Sequence, residues 1–163
     1  MKEKIKINLL EELTAHYKEL YKLPPLASKV LSFFLIDTHQ EEYTFDFLVE
    51  KFCVSKSSMS STLHLLTQYD FISQINKIGD RKTYYKITPQ HLSIRLKKIR
   101  KNLEREKVLT EKLVDYHLIQ QEGIKQPNKE KVKIYIEHLN NSIKGLTNTI
   151  EKLEDIEKLN HTI

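Results

Sequence analysis

The sequence predicts a mainly α-helical protein, with one β-hairpin set between four N-terminal helices and two long C-terminal ones. Three observations carry this. Apolar residues recur at helical spacing along most of the chain, and two adjacent β-prone runs flank a glycine-containing tip. The 163 residues include just three Gly and four Pro. So few breakers exclude collagen-like, low-complexity and most loop-rich all-β chains.

The elements follow in order. Lys6 to Leu23 reads as a first helix, with Ile7, Leu10, Leu13, Leu20 and Leu23 near helical spacing and Tyr17 on the same side. Pro24-Pro25 ends it, because proline lacks an amide donor and disfavours helix in the residue before it. Leu26 to Thr38 is apolar almost all round and suits a central core helix. Thr44 can cap a third helix, Phe45 to Phe52, with Asp46 in its first turn. Val54 is a break, and Ser55 caps a fourth helix that runs to about Tyr69. Phe71 to Lys77 and Thr83 to Ile87 then form a hairpin around Ile78-Gly79-Asp80-Arg81-Lys82. Thr88-Pro89 starts a long helix, Thr as cap and Pro at its first position, reaching Glu122 before a Gly123 C-cap. Pro127-Asn128 starts the last helix.

Helix order and hairpin together describe a winged helix-turn-helix with a two-stranded wing, followed by long C-terminal dimerisation helices. The expected division is an N-terminal helix at 1–23 belonging to the dimerisation region, a winged helix-turn-helix at 24–90, and a long helical hairpin at 91–163. Composition favours an elongated oligomer. Counting Gly and leaving out Tyr, roughly 36% of residues are apolar against a typical 45–50%. Residues 128–162 as one helix would span about 50 Å, more than the ~40 Å diameter of a compact chain of this length. Val132, Ile136, Leu139, Ile143, Leu146, Ile150 and Leu153 step 4, 3, 4, 3, 4, 3, a heptad seam with Ile at a and Leu at d. The seam implies a homodimeric helical bundle. The alternative is that this helix folds back on its neighbour, Ser93 to Gln121, within one chain.

Lys plus Arg number 27 against 22 Asp plus Glu, a formal net charge of +5 that permits an anionic partner without demanding one. The residues that could read DNA cluster in two places. On the fourth helix Met59, Leu63 and Leu66 form an inward stripe, and Phe47, Leu48 and Phe52 pack the preceding helix inward. The opposite face carries Lys56, Ser57, Ser60, Ser61, His64 and Gln68 after the capping Ser55, with no acid between Glu50 and Asp70. Small hydroxyls let a helix backbone approach closely and can bond base edges or phosphates. At the wing, Lys77, Arg81, Lys82 and Lys86 stand against one acid, Asp80. Arg81 is placed to enter a minor groove, where narrow A·T tracts concentrate negative potential. Tyr84 and Tyr85 either pack the wing on the core or send a hydroxyl to a phosphate. Arg95, Lys97, Lys98, Arg100 and Lys101 open the next helix, grazing DNA or forming a solvated face.

The stretch FLVEKFCVSKSSMSSTLHLLTQYDFI followed by INKIGDRKTYYKIT resembles MarR-type winged-helix regulators. It is most similar to their GbsR-like subgroup, whose wing carries a run like Gly79, Arg81, Lys82, Tyr84 and Tyr85. The resemblance covers residues 24–90, the flanking helices agreeing in arrangement only. It implies a homodimer held by terminal helices, recognition helices in successive major grooves of a palindromic operator, wings along the backbone, and repression relieved by a small ligand of unknown identity. The single cysteine, Cys53, separately fits a reducing cytoplasm. Asp70 stands where such proteins place Gly, and Asp tolerates the left-handed conformation. The recognition helix has no Arg, so reliance shifts to shape and A·T content.

The rival reading is a winged protein-interaction module that binds no DNA. The sequence shows no enzyme constellation, cofactor loop or metal-ligand spacing; its seven His are scattered. Neither a membrane span nor a signal peptide is expected. Cys53 reads as a buried small hydrophobe or, alternatively, a redox-sensing thiol. Tyr17, Tyr21, Phe33, Phe34 and Tyr116 are either core or the lining of an effector pocket.

Overall fold

The computed structural model describes residues 2–37, 41–119 and 126–160. In chain order it holds helices α1 (Lys2–Tyr21) and α2 (Pro25–Ile36), strand β1 (Tyr43–Thr44), helices α3 (Phe45–Phe52) and α4 (Lys56–Gln68), strands β2 (Ile72–Asn76) and β3 (Thr83–Ile87), and helices α5 (His91–Ile119) and α6 (Gln126–Asn160). They form two compact units that divide between His91 and Leu92. Gly123 and its expected cap lie outside the described residues.

In the first unit α2 is the centre, as its all-round apolar sequence requires. Ala27, Val30 and Leu31 are buried against Leu48 of α3, Met59, Leu63 and Leu66 of α4, and Ile72 of β2. Pro25 takes the first position of α2, where its missing amide leaves no bond unmade. α1 packs on this core through Leu10, Tyr17 and Tyr21, the Tyr21 ring edge-on to Phe71 at 4.8 Å. Ile7 and Leu20, expected inward, are exposed together with Ile5 and Leu9. The apolar pattern of α1 therefore wraps two faces, of which its own chain covers one.

Both caps of the helix-turn-helix are as the sequence predicts. The Thr44 hydroxyl accepts from Phe47 N–H at 3.2 Å, and the Ser55 hydroxyl from Ser58 N–H at 3.2 Å. Both helices then end in the same way without glycine. Cys53 (φ 50) and Asp70 (φ 59) take the left-handed conformation. The following amides reach back five residues, Val54 to Val49 O at 3.3 Å and Phe71 to Leu66 O at 3.0 Å, and place an apolar side chain against the core. This corrects the expectation for Cys53. The left-handed cap turns its thiol outward, where it is exposed and donates to Glu50 O at 3.4 Å; Val54 packs in its place. Phe47 is likewise exposed, its ring stacked on Tyr43 at 5.2 Å.

The wing is broader than the expected two strands. β1 adds an edge, giving the antiparallel order β1-β3-β2 with Tyr43 opposite Tyr85 and Gln74 opposite Tyr85 on the other side. Thr88 also differs from expectation. Its hydroxyl lies 3.0 Å from that of Ser73, tying the sheet's end, so α5 begins later, with His91 N–H donating to Thr88 O at 2.9 Å.

The second unit is an antiparallel helical hairpin. Links between α5 and α6 among the described residues include Ser93 to Glu157 (3.1 Å), Lys97 to Glu154, Arg100 to Thr147 (3.3 Å) and Tyr135 to Glu106. Leu139 and Ile150 of the heptad seam are buried, while Val132, Ile136, Ile143, Leu146 and Leu153 are half-buried. The single chain thus already covers much of the seam.

Gly145 faces open space on α6: a methyl added there meets nothing within 4 Å. Gly145→Ala should raise stability by about 1 kcal/mol in urea unfolding, since glycine loses more backbone freedom than alanine on entering a helix. A loss of stability would mean that another surface sits against this position.

Candidate nucleic-acid interface

The amphipathic pattern of α4 sorts its side chains cleanly. Met59, Thr62, Leu63 and Leu66 are buried, and Lys56, Ser57, Ser60, Ser61, His64 and Gln68 are exposed. The exposed set forms a face with donors, acceptors and no carboxylate of its own. At its start Ser55 is committed to structure. Its hydroxyl caps Ser58 and lies 3.0 Å from the Ser57 hydroxyl and 2.8 Å from that of Ser58. Lys56 stands 3.4 Å from Asp46 of α3, both about three-quarters exposed, a pairing that water screens heavily and that a phosphate can displace.

At the wing the predicted residues separate. Lys77 pairs with Glu42, which directly precedes β1, and its ammonium lies 4.4 Å from the centre of the Tyr84 ring. The Glu42 carboxylate, as hydrogen-bond acceptor, holds that ammonium above its ordinary pKa. Tyr84, one of the two tyrosines offered to a phosphate, instead donates its hydroxyl to Asp80 Oδ2 at 2.7 Å. Tyr85 packs against the core, and burial raises its pKa. Arg81 and Lys82 are exposed. Of the basic stretch on α5, Lys97 and Arg100 are drawn into the hairpin, Arg100 Nε also lying 3.4 Å from Glu104.

Asp80 is the residue whose role the sequence reading missed. Its Oδ1 accepts from Lys82 N–H at 2.9 Å while Oδ2 takes the Tyr84 hydroxyl. An Asp accepting from the amide two residues on is an Asx turn, a signal present in Asp80-Arg81-Lys82. Glu42 gave no such signal, because its partner lies 35 positions away.

The Tyr84 hydroxyl first, and the Lys82 amide second, hold the Asp80 carboxyl below the usual carboxylate range. A depressed folded pKa contributes stability above the unfolded value and loses it as pH falls through the folded one. The Asp80 carboxyl resonance should therefore titrate below the ordinary aspartate value, and the Tyr84 ring signals should move with it. Titration of Asp80 at its ordinary value, with Tyr84 unaffected, would contradict the staple.

Among the described residues no helix is long and apolar enough to cross a membrane, and no group of three or more His, Cys, Asp and Glu could hold a metal ion.

No protein-family model matches the chain, and no curated protein matches it either. Solved structures do. The chain is similar to a crystal structure described as a transcriptional regulator, with TM-score 0.63 at 15% identity over 92% of this chain and 98% of that one. Weaker likenesses are to the adhesin competence repressor AdcR of Streptococcus pyogenes (TM-score 0.38, 18% identity, 83% of this chain and 96% of that one) and to a variant of Lactococcus lactis ZitR (0.36, 15%, 74% and 75%). The first superposition and the three-stranded wing agree on the architecture: this chain has the winged helix-turn-helix fold.

Proposed function

We propose that the chain is a homodimeric, sequence-selective DNA-binding transcriptional regulator of the MarR type, most similar to the GbsR-like subgroup. On this reading it acts as a repressor that a small ligand relieves. The face of α4 carries the proposal: a buried inner stripe and an exposed outer face of Lys56, Ser57, Ser60, Ser61 and His64, free of acids over one whole helix. That face enters the major groove, with Lys56 on phosphate, and Arg81 and Lys82 lie in or beside the minor groove. Ser55 supports the helix start, and Lys77 and Tyr84 serve the wing's shape before any phosphate. Likeness to a structure described as a transcriptional regulator supports the same reading.

Exposed apolar side chains support dimerisation. Leu109, Leu113 and Tyr116 line one stripe of α5, and Ile5, Leu9 and Leu20 line the uncovered face of α1, so the terminal helices 1–23 and 91–163 form the dimer. The half-buried residues of the α6 seam take part at its margin. A cleft of about 450 Å³ in the first unit, lined by Phe34, Tyr43, Ile87 and His91 among others, is large enough for a small effector.

Fluorescence anisotropy on a labelled A·T-rich duplex, with and without competitor, tests the proposal. Micromolar or tighter binding that weakens steeply between about 50 and 200 mM salt is expected. Absence of binding at the lowest salt would refute it and favour the protein-interaction module, whose apolar contacts salt would leave intact.

A further inference from the structure

The tip of the wing is a turn from Lys77 to Asp80, closed by Asp80 N–H donating to Lys77 O at 3.1 Å. Its third residue, Gly79, has φ +82, a conformation that side chains rarely adopt. Its second residue is Ile78, which is fully exposed. A lone surface isoleucine says little in itself; the position of this one is informative. On one side Lys77 is held back by Glu42 and the Tyr84 ring. On the other, Asp80 is stapled to Tyr84 and to the Lys82 amide. The two charged neighbours are thus tied to the sheet, and the side chains left at the tip are Ile78 and the exposed Arg81 and Lys82.

We infer that Ile78 is an apolar minor-groove contact, entering beside Arg81 and packing on sugar walls or against a base step. The inference rests on the DNA-binding reading above. A minor groove is narrow, about 6 Å wide, lined by sugars and edged by phosphates. It accepts an aliphatic group delivered with a cation, and isoleucine is among the side chains that proteins insert there. The turn is already folded and stapled, so seating Ile78 orders no loop, which lowers the cost of burying it. A non-ionic contact has a signature that no phosphate contact shares: it changes affinity and leaves the salt dependence alone.

The test uses the full-length protein and a duplex recovered by selection from a random pool, with anisotropy from about 50 to 200 mM salt. Ile78→Ser should bind about ten-fold more weakly per wing at every salt concentration, as expected for losing one buried aliphatic side chain from each. The slope of log K against log salt and the melting temperature should stay as in the parent, and Ile78→Met should keep affinity within about two-fold. With 2-aminopurine placed along the wing-facing minor groove, emission should change on binding of the parent and not of Ile78→Ser. Parent-like affinity of Ile78→Ser, a flattened slope, or an equal loss in Ile78→Met would each overturn the inference while leaving DNA binding standing. If the parent protein itself shows no salt-sensitive binding, the underlying reading fails first and this one with it.

Discussion

Leu63→Ala should cost about 3 kcal/mol of folding stability, within the range for emptying a leucine site in a packed core. Leu63 is 1% exposed and lies on the inner face of α4 within the cluster of Val30, Leu31, Leu48 and Ile72. A single domain is stable by roughly 5–15 kcal/mol, so such a loss is a large share of the total. On the proposed reading DNA binding should suffer too, because the same helix carries Ser60, Ser61 and His64 on its outer face. Ser60→Ala provides the contrast. As an exposed substitution it should change stability by less than about 0.5 kcal/mol, and on the proposed reading it should still weaken binding. Urea unfolding followed by circular dichroism gives the first quantity and anisotropy the second. A change below about 1 kcal/mol for Leu63→Ala would mean that the core collapses around the gap, or that α4 seats less deeply than described.

The parts of this candidate interface that the sequence revealed are those fixed by local rules. Thr44 and Ser55 announce their helices because a cap bonds an amide three residues on, and the α4 stripe shows through its period. Asp70 was expected to tolerate a left-handed turn and takes one. What escaped depends on partners elsewhere. β1 is two residues long, too short for an alternation to register, and exists because β3 offers it an edge. Cys53 has apolar neighbours in the chain, yet the cap geometry reverses its direction. Thr88 carries a capping side chain whose hydroxyl Ser73 claims first. Lys77 looks like one more wing cation until Glu42 is brought to it across the fold. Ile7 and Leu20 fit the period of α1 and still face outward, because the core meets only the Leu10, Tyr17 and Tyr21 side. Spacing shows which residues share a face; what covers that face is a tertiary fact.

The same distinction sets the size of the wing's electrostatic effect. If every cation near the wing's tip met phosphate, Lys77, Arg81 and Lys82 would count equally. With Lys77 held by Glu42, the groove proposal assigns the wing's counterion release to Arg81 and Lys82. Each neutralised phosphate contributes about 0.9 to the slope of log K against log salt. The double variant Arg81→Ala/Lys82→Ala should therefore flatten the slope by about 1.8 per wing and weaken binding about 30-fold per wing at roughly 0.15 M salt. Lys77→Ala should flatten it far less, and Glu42→Gln, which frees the Lys77 ammonium for phosphate, should steepen it. Anisotropy across the salt series with the four proteins measures all three changes. Flattening by Lys77→Ala of half that seen in the double variant would show that the Glu42 pairing opens on DNA. An unchanged slope in the double variant would remove the wing from the interface altogether and leave α4 to account for the ionic contacts alone.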